Sequence, residues 1–223
     1  MITNNPKIEI WKDKYALIVD DTHFTPWVKQ YGSIAFHHHI KRYSKYIPKG
    51  GVAVDGGANQ GMYTAAFCEL VGDEGHVYSF EPNELPFICL SINAPLAHRY
   101  MMALGDKVDE CDIINLEKHE KNYGASYIKL GGHIPVKPLD CFLLDRCDLI
   151  KLDVEGFEIS ALKGAKETIA KHKPVLVLEV SINNLNRFDL TPEDLYSYID
   201  SIDYKIVDSW GNKQQKDIIC LAK

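Results

Sequence analysis

The residues best suited to chemistry follow a short apolar run in the stretch GVAVDGGANQGMYT, at positions 51–64. The run ends in Asp55, a glycine-rich turn follows, and residues 63–70 are predicted to form a helix. Glycines allow unusual backbone dihedrals and let a ligand come close. The start of a helix presents free backbone N–H groups. The stretch therefore predicts a strand-turn-helix cradle for a nucleotide.

Two ligand classes fit the spacing of this turn. A dinucleotide fingerprint, G-x-G-x-x-G, requires Ala58 to stand at its second glycine. The alternative spacing starts with an acid and is filled by Asp55, Gly57, Asn59 and Gly61. We favour the second, because an acid at the end of the strand suits a ligand that carries an amine and a sulfonium cation. A purely structural turn is the third interpretation.

Acidic residues end, or closely follow, each strand predicted to be parallel. They are Asp55, Glu81, Asp106, Asp153 and Glu179. Ligands of open parallel sheets bind beyond the carboxyl ends of the strands. The repeated acids therefore predict a ligand site along this edge.

Each acid has a candidate role. A carboxylate at Glu81 can accept both hydroxyls of a ribose. Leu104 offers an apolar face to a base, with a backbone N–H or Asp106 at the edge of that base.

Three carboxylates fall within the six residues 153–158. Asp153 and Glu155 could bind a divalent cation together with Glu179. Alternatively, Asp153, Glu155 or Glu179 could accept the proton of a hydroxyl. Asp153 could instead hold an amino group. Glu155 and Glu158 could also simply stabilise the start of a helix.

Alternating strands and helices predict an α/β fold with a doubly wound, mostly parallel sheet. The predicted parallel strands are residues 51–55, 76–80, 100–104, 148–153 and 174–179, and residues 204–208 and 217–221 form an antiparallel edge pair. The predicted helices include residues 84–93, 157–172 and one that starts at Thr191. Residues 51–223 form the main domain, with a flap or hairpin at about 107–136. Residues 1–50 form a cap that contains a hairpin at 7–19 and a helix at 25–46.

Composition excludes several classes of protein. The 223 residues carry a net charge of −6, which argues against a broad phosphate-binding face. No apolar run approaches the ~20 residues of a membrane span, and the N-terminus lacks a basic-then-apolar signal, so we expect a cytoplasmic protein. The six scattered cysteines predict reduced thiols. His37, His38 and His39 cannot all ligate one metal, because consecutive helical positions point in different directions.

Several motifs resemble the FkbM-type methyltransferases in order and spacing over residues 50–182. They are VDGGANQGMYT at 54–64, FEPN at 80–83, ALGD at 103–106, IKLDVEGFE at 150–158, LKGA at 162–165 and VLE at 177–179. The resemblance implies a Rossmann-like fold, S-adenosylmethionine as the cofactor and methylation of a hydroxyl on a sugar, glycan or small natural product. Residues 1–50 have no counterpart in this resemblance, and we expect them to help choose the acceptor.

With the resemblance, the site predictions are specific. Cofactor contacts are expected at Asp55, Gly57, Ala58, Asn59, Gly61, Tyr63, Thr64, Glu81, Pro82, Asn83, Ala103, Leu104 and Asp153. The candidate catalytic residues are Asp153, Glu155 and Glu179. A divalent cation such as Mg²⁺, if used, would bind at Asp153 and Glu179.

Three other functions stay open at this point. A nucleic-acid methyltransferase is disfavoured by the acidic composition, although a flipped base needs only a small basic patch. An NAD-dependent oxidoreductase would need a hydride-transfer set such as Tyr-x-x-x-Lys, which is not found in context. A cofactor-binding module without catalysis is disfavoured by the intact acidic cluster.

Overall fold

The computed structural model describes residues 5–32, 37–115 and 121–223, with side chains except at 37–39. In these ranges the strands are β1 (Ile8–Trp11), β2 (Tyr15–Ile18), β3 (Val52–Gly56), β4 (His76–Phe80), β5 (His98–Tyr100), β6 (Ala103–Leu104), β7 (Asp109–Ile114), β8 (Tyr127–Leu130), β9 (Ile134–Lys137), β10 (Leu149–Leu152), β11 (Val175–Ser181), β12 (Tyr204–Gly211) and β13 (Gln215–Ala222). The α-helices are α1 (Phe24–Tyr31), α2 (His37–Tyr43), α3 (Met62–Val71), α4 (Glu84–Asn93), α5 (Glu158–Lys163), α6 (Lys166–His172), α7 (Ile182–Asn186) and α8 (Pro192–Ser201).

The larger sheet has the order β12-β13-β11-β10-β3-β4-β5 in the described chain. The five strands from β11 to β5 are parallel, whereas β13 and β12 join as an antiparallel pair at one edge. The predicted doubly wound Rossmann-like fold, with its antiparallel edge pair, is confirmed. Because the parallel strands run in one direction, their carboxyl ends share one edge.

The central strands are apolar because they are covered on both faces. Every residue of β3 and of β10 is buried, as expected for parallel strands between two helical layers. Val54 and Ile150 lie in one core with Leu162 of α5. Ala53, on the opposite face of β3, lies in a second core with Phe67 of α3.

The strand predicted at residues 100–104 is wrong, because this segment divides between two sheets. β5 ends at Tyr100 in the larger sheet, and β6 pairs in parallel with β9 in a smaller sheet of order β6-β9-β7-β8. Ala103 and Val136 are held in this smaller sheet by an apolar cluster with Phe157. The segment predicted as a flap or hairpin, about 107–136, contains β7 and β8, which pair antiparallel, and most of β9.

The single helix predicted at residues 157–172 is two helices, α5 and α6. Gly164 separates them, and a Cβ at this glycine would lie 1.9 Å from the carbonyl oxygen of Gly105. Asp140 then binds the start of α6, where its carboxylate accepts from the backbone N–H groups of Glu167 and Thr168. A tertiary contact, invisible in the helical periodicity, therefore sets the break.

The helix predicted at residues 25–46 also ends early. α1 stops at Tyr31, and Gly32 follows in the left-handed conformation with φ of 75°, which favours glycine at a helix end. α2 begins at His37. Residues 33–36, which the prediction includes in the helix, lie outside the described residues.

The predicted N-terminal hairpin forms and packs against α4. β1 and β2 pair antiparallel, and Ile8, Ala16 and Ile18 are buried against Cys89 of α4. Asn93 at the end of α4 joins β2 through two hydrogen bonds to the backbone of Ala16. Among the described helices, none has both the length and the apolar character needed to cross a membrane.

Candidate functional site

A cavity of about 550 Å³ opens beyond the carboxyl ends of β3, β4, β10 and β11. Its wall includes the β3–α3 turn, the end of β4, the smaller sheet, the β10–α5 loop and part of the N-terminal segment. The cavity therefore lies along the edge at which the acidic strand ends were predicted to meet.

The glycine turn after β3 is fixed by close backbone contacts. The N–H groups of Gly57 and Ala58 both donate to the carbonyl oxygen of Phe80 at 3.0 Å. Gly57 has φ of 77°, and a Cβ there would lie 1.8 Å from the carbonyl oxygen of Asp153. Only glycine fits between these strands, so the turn brings bare backbone to the cavity. Ala58, Asn59 and Tyr63 also line the cavity.

Three predicted cofactor residues lie beneath the cavity wall instead of on it. Asp55 and Thr64 are fully buried, and the Thr64 hydroxyl donates to Asp55 at 2.6 Å. A Cβ on Gly61 would meet Leu90 of α4 at 3.0 Å, so this glycine serves packing between helices. Asp55 and Thr64 are not among the residues that line the cavity, and the second Asp55 oxygen faces Lys151 Nζ at 3.9 Å, so direct ligand contact by these two residues stays a prediction.

Lys151 is a site residue that the sequence analysis missed. It is 3 % exposed on β10, and its Nζ lies 3.2 Å from Asp153 and 3.9 Å from Asp55. The Nζ also lies 4.4 Å from the ring centre of Tyr63. Burial alone would lower the pKa of Lys151, but the charges of Asp153 and Asp55 outweigh it and raise that pKa. A lysine inside the apolar strand Leu149–Leu152 was the available signal.

Glu81 lies on the cavity wall and is already oriented. Its two carboxylate oxygens accept from the backbone N–H groups of Asn59 and Asn83, each at 2.8 Å. Burial raises the pKa of Glu81 to about 7, against the lowering effect of these two N–H groups. Pro82 and Asn83 continue the wall, and the Asn83 amide donates to Asn115 at 3.0 Å.

The smaller sheet supplies an apolar wall. Ala103 and Leu104 line the cavity beside Ile128. Asp106 does not join them, because it is exposed and its carboxylate accepts from the hydroxyl of Ser160. Asp106 is not among the residues that line the cavity, so the option that it reaches the edge of a bound base stays a prediction without support from the geometry.

Asp153, Glu155 and Glu179 converge as predicted. One oxygen from each lies within 4.8 Å of the others. Glu155 has φ of 57°, a left-handed backbone that is uncommon outside glycine, and it accepts from Arg187 at 3.4 Å. Glu179 accepts from the amides of Asn184 at 3.0 Å and Gln215 at 2.5 Å.

The electrostatic surroundings of the three acids differ. Burial, with the neighbouring charge of Asp153, raises the pKa of Glu155, although Arg187 opposes the shift. Burial, again with Asp153, raises the pKa of Glu179 well above its ordinary value. Asp153 is ion-paired with Lys151, whereas Glu179 is held by neutral amides.

This donor set is a poor fit to a divalent cation. Hard cations take several oxygen ligands, but a lysine, an arginine and two amides already occupy the three carboxylates. The magnesium ion considered at Asp153 and Glu179 is therefore not supported, and we derive no step through it.

Glu158 has a structural position. It is 1 % exposed, and its Oε1 accepts from the backbone N–H groups of Val154 and Gly156. The geometry supports the interpretation that Glu158 stabilises the loop and the start of the helix.

The N-terminal segment contributes an aromatic part of the wall. His23, Phe24 and Trp27 line the cavity near Met62. The side chains of His37, His38 and His39 lie outside the described residues, so the expectation for them is untested.

Comparisons with known proteins agree with this architecture. The methyltransferase FkbM domain matches residues 55–206, more than half of the chain. The crystal structure of methyltransferase FkbM from Methylobacillus flagellatus is 24 % identical, with a TM-score of 0.52 over 77 % of this chain and 44 % of that protein. The chain thus spans less than half the length of that relative.

Two further solved structures share the fold at low identity. They are the fibrillarin pre-rRNA processing protein of Methanococcus jannaschii (12 % identity, TM-score 0.51, covering 79 % of this chain and 68 % of that one) and precorrin-6y C5,15-methyltransferase from Geobacter metallireducens (13 %, 0.50, 98 % and 100 %). No match was found among curated protein sequences. The family match, with the fold and the convergent strand ends, shows that the chain belongs to the FkbM methyltransferase domain family.

Proposed function

We propose that this protein transfers a methyl group from S-adenosylmethionine to a hydroxyl oxygen of a sugar, glycan or small natural product. The observation that carries the proposal is that one cavity contains both the glycine turn with Glu81 and the carboxylates of Asp153, Glu155 and Glu179. A donor cradle and candidate proton acceptors thus face the same space.

The residues of the cradle fit the cofactor. The Oδ1 atom of Asn59 is buried without a hydrogen-bond partner in the described chain, and a buried acceptor of this kind calls for a donor. The amino group of the methionine arm is such a donor. We assign that arm to the turn at Gly57 and Ala58, beside Tyr63.

The nucleoside would lie on the adjoining wall. Glu81 accepts the ribose hydroxyls, flanked by Pro82 and Asn83. Ala103 and Leu104 pack against the adenine. We propose that Asp55, Gly61 and Thr64, which lie below the wall, hold the turn in place.

The acceptor would lie over β10 and β11. This side of the cavity is polar, with Ser181, Asn183 and Arg187 in its wall near Glu179. Hydroxyl, amide and guanidinium groups suit an acceptor that carries several hydroxyls, because each can bind an alcohol oxygen.

When bound, the cofactor supplies the methyl group, which the acceptor oxygen takes by in-line displacement to leave S-adenosylhomocysteine. The protein contributes alignment of the acceptor and exclusion of water. The acceptor proton must leave the oxygen, and we assign it to Glu179, because burial and the neighbouring carboxylates raise its pKa well above the ordinary value and its hydrogen-bond partners in the described chain are neutral amides. Asp153 and Glu155, held by Lys151 and Arg187, orient the acceptor.

A labelled-methyl assay tests the proposal. The protein is incubated with methyl-labelled S-adenosylmethionine and a panel of sugars, glycolipids, hydroxylated natural products and RNA oligonucleotides, with and without EDTA. We expect label on a hydroxyl of a non-RNA acceptor and equal activity in EDTA. Label confined to RNA, or to nitrogen, would contradict the acceptor assignment.

A thermal-shift panel tests the cofactor separately. S-adenosylmethionine and S-adenosylhomocysteine should raise the melting temperature, whereas NAD should leave it unchanged, because a ligand that binds the native state stabilises it. Stabilisation by NAD alone would favour the oxidoreductase instead.

A further inference from the structure

Gln60 stands in the glycine turn and is not explained by the packing around it. It is 1 % exposed and lines the cavity. Its Nε2 is buried and has no hydrogen-bond partner in the described chain. A buried donor without an acceptor lowers stability, so a native structure that keeps one calls for an explanation.

The N-terminal hairpin fixes the orientation of this amide. The backbone N–H of Ile18 donates to the Oε1 of Gln60 at 3.1 Å. A donor at this position requires the carbonyl side of the amide to face β2, and the NH₂ side therefore faces away from it. The backbone carbonyl of Gln60 is also bound, by the amide of Asn93 at 2.7 Å.

The unpartnered amide stands at the start of a helix. Gly61, the next residue, is the N-cap of the ten-residue helix α3. The first turn of a helix carries partial positive charge and free N–H groups. In α3 the N–H of Gly61 binds Ala58 and that of Thr64 binds Asp55, so the helix start contributes its partial positive charge, and the side-chain N–H of Gln60 contributes the donor for an anion.

We propose that Gln60 donates to the carboxylate of the cofactor's methionine arm, and that the N-terminal hairpin orients it for this task. The assignment rests on the proposed use of S-adenosylmethionine. It places a carboxylate beside the turn, next to the amino group assigned to Asn59. It also makes residues 8–18 part of the cofactor site, in addition to any role in acceptor choice.

Two ligands separate this role from a structural one. S-adenosylhomocysteine carries the carboxylate, whereas 5′-methylthioadenosine has the same nucleoside and sulfur without the amino-acid arm. Calorimetry at pH 8 compares both ligands on the wild type and on Gln60→Glu, which keeps an acceptor for Ile18 and replaces the N–H donor with a negative charge. Gln214→Glu, an exposed site at the β12–β13 turn, is the matched control for the added charge.

We expect Gln60→Glu to lower the affinity for S-adenosylhomocysteine roughly 10- to 100-fold, the range for a lost hydrogen bond to a charged group. The affinity for 5′-methylthioadenosine should change less than about twofold. Equal effects on both ligands, or none on either, would overturn the role of Gln60 and leave the methyltransferase proposal standing. A wild type that binds neither ligand would overturn the methyltransferase proposal itself. If Gln60→Glu does not fold, Gln60→Met removes the donor without adding charge, and the same comparison of ligands decides.

Discussion

At the scale of single residues, the kind of partner decides what each buried charge can do. Lys151 neutralises Asp153, and Arg187 neutralises Glu155. Glu179 alone among the three convergent acids is held by amides in the described chain. We assign the proton to Glu179 because burial and the neighbouring carboxylates raise its pKa well above the ordinary value, without the opposing charge that Arg187 places beside Glu155.

Replacement of Glu179 should therefore separate chemistry from cofactor binding. We expect Glu179→Gln to lower kcat by about 10²-fold or more, the range for loss of a general base. The affinity for S-adenosylhomocysteine should change less than twofold. Single-turnover kinetics and calorimetry measure the two effects, with the exposed Glu193→Gln as the control. An unchanged kcat would remove Glu179 from the mechanism.

Replacement of Glu81 should weaken the binding of S-adenosylhomocysteine and of 5′-methylthioadenosine to the same extent, because both ligands carry the ribose. Glu81→Gln removes a charged hydrogen-bond acceptor, so we expect a loss of about 1.5–3 kcal/mol in the free energy of ligand binding. In the wild type the pKa of Glu81 is about 7, and the ionised form accepts the hydroxyls, so affinity should rise as pH increases from about 6 to about 8. Calorimetry over this pH range should find that the affinity of the Glu81→Gln variant does not change with pH. A wild type without pH dependence would contradict the ribose role.

The sequence predicted the acids of the site better than their partners. Glu81, Asp153 and Glu179 follow apolar strands, and parallel strands bring such positions together regardless of loop detail. Gln215 was not predictable in the same way, because it lies on an antiparallel strand whose register with β11 pairs it with Ser181. No local pattern encodes that register.

At the scale of elements, the β3–α3 turn requires glycine at position 57, because there is no room for a Cβ. Gly57→Ala would place a Cβ 1.8 Å from the Asp153 carbonyl, so we expect a loss of at least about 3 kcal/mol in the free energy of unfolding. Gly131 has a similar φ of 87°, and a Cβ there would meet nothing within 4 Å in the described chain. Gly131→Ala should therefore cost only about 1 kcal/mol. Urea unfolding of both variants measures the difference, and equal losses would contradict the close approach.

Element positions followed from periodicity, whereas element ends did not. The helix at residues 84–93 and the helix start at Thr191 are as predicted, because their signals are local. The break at Gly164 and the turn of the chain after Tyr100 depend on contacts with residues distant in sequence. Such contacts leave no mark on a helical or strand pattern.

At the scale of the whole molecule, buried acids should make stability fall as pH rises. Burial raises the pKa values of Glu81 and Glu158 from 4.5 to about 7. Between these values the folded chain binds more protons than the unfolded chain, so each group removes about 1.4 kcal/mol of stability per pH unit. The contribution is fully present below about pH 4.5 and lost above about pH 7.

Urea unfolding at several pH values checks this sign. Glu158→Gln keeps an oxygen for the N–H groups of Val154 and Gly156 and removes the titration, so its stability should fall less steeply between about pH 5 and pH 7. Stability that rises with pH across this window would contradict the assignment of these acids as buried and protonatable.

The close packing of Gly156 against Asn184 limits where substitutions can change the acceptor side of the cavity. A Cβ on Gly156 would lie 2.2 Å from the Asn184 carbonyl oxygen, so the loop after β10 and helix α7 after β11 are in close backbone contact. We expect a substitution that shifts this contact to disturb both Glu155, which precedes Gly156, and Glu179, which accepts from the Asn184 amide. We therefore expect new acceptor preferences to arise at Trp27 on the cavity wall and not at Tyr127, whose ring lies under the Arg187 guanidinium that binds Glu155.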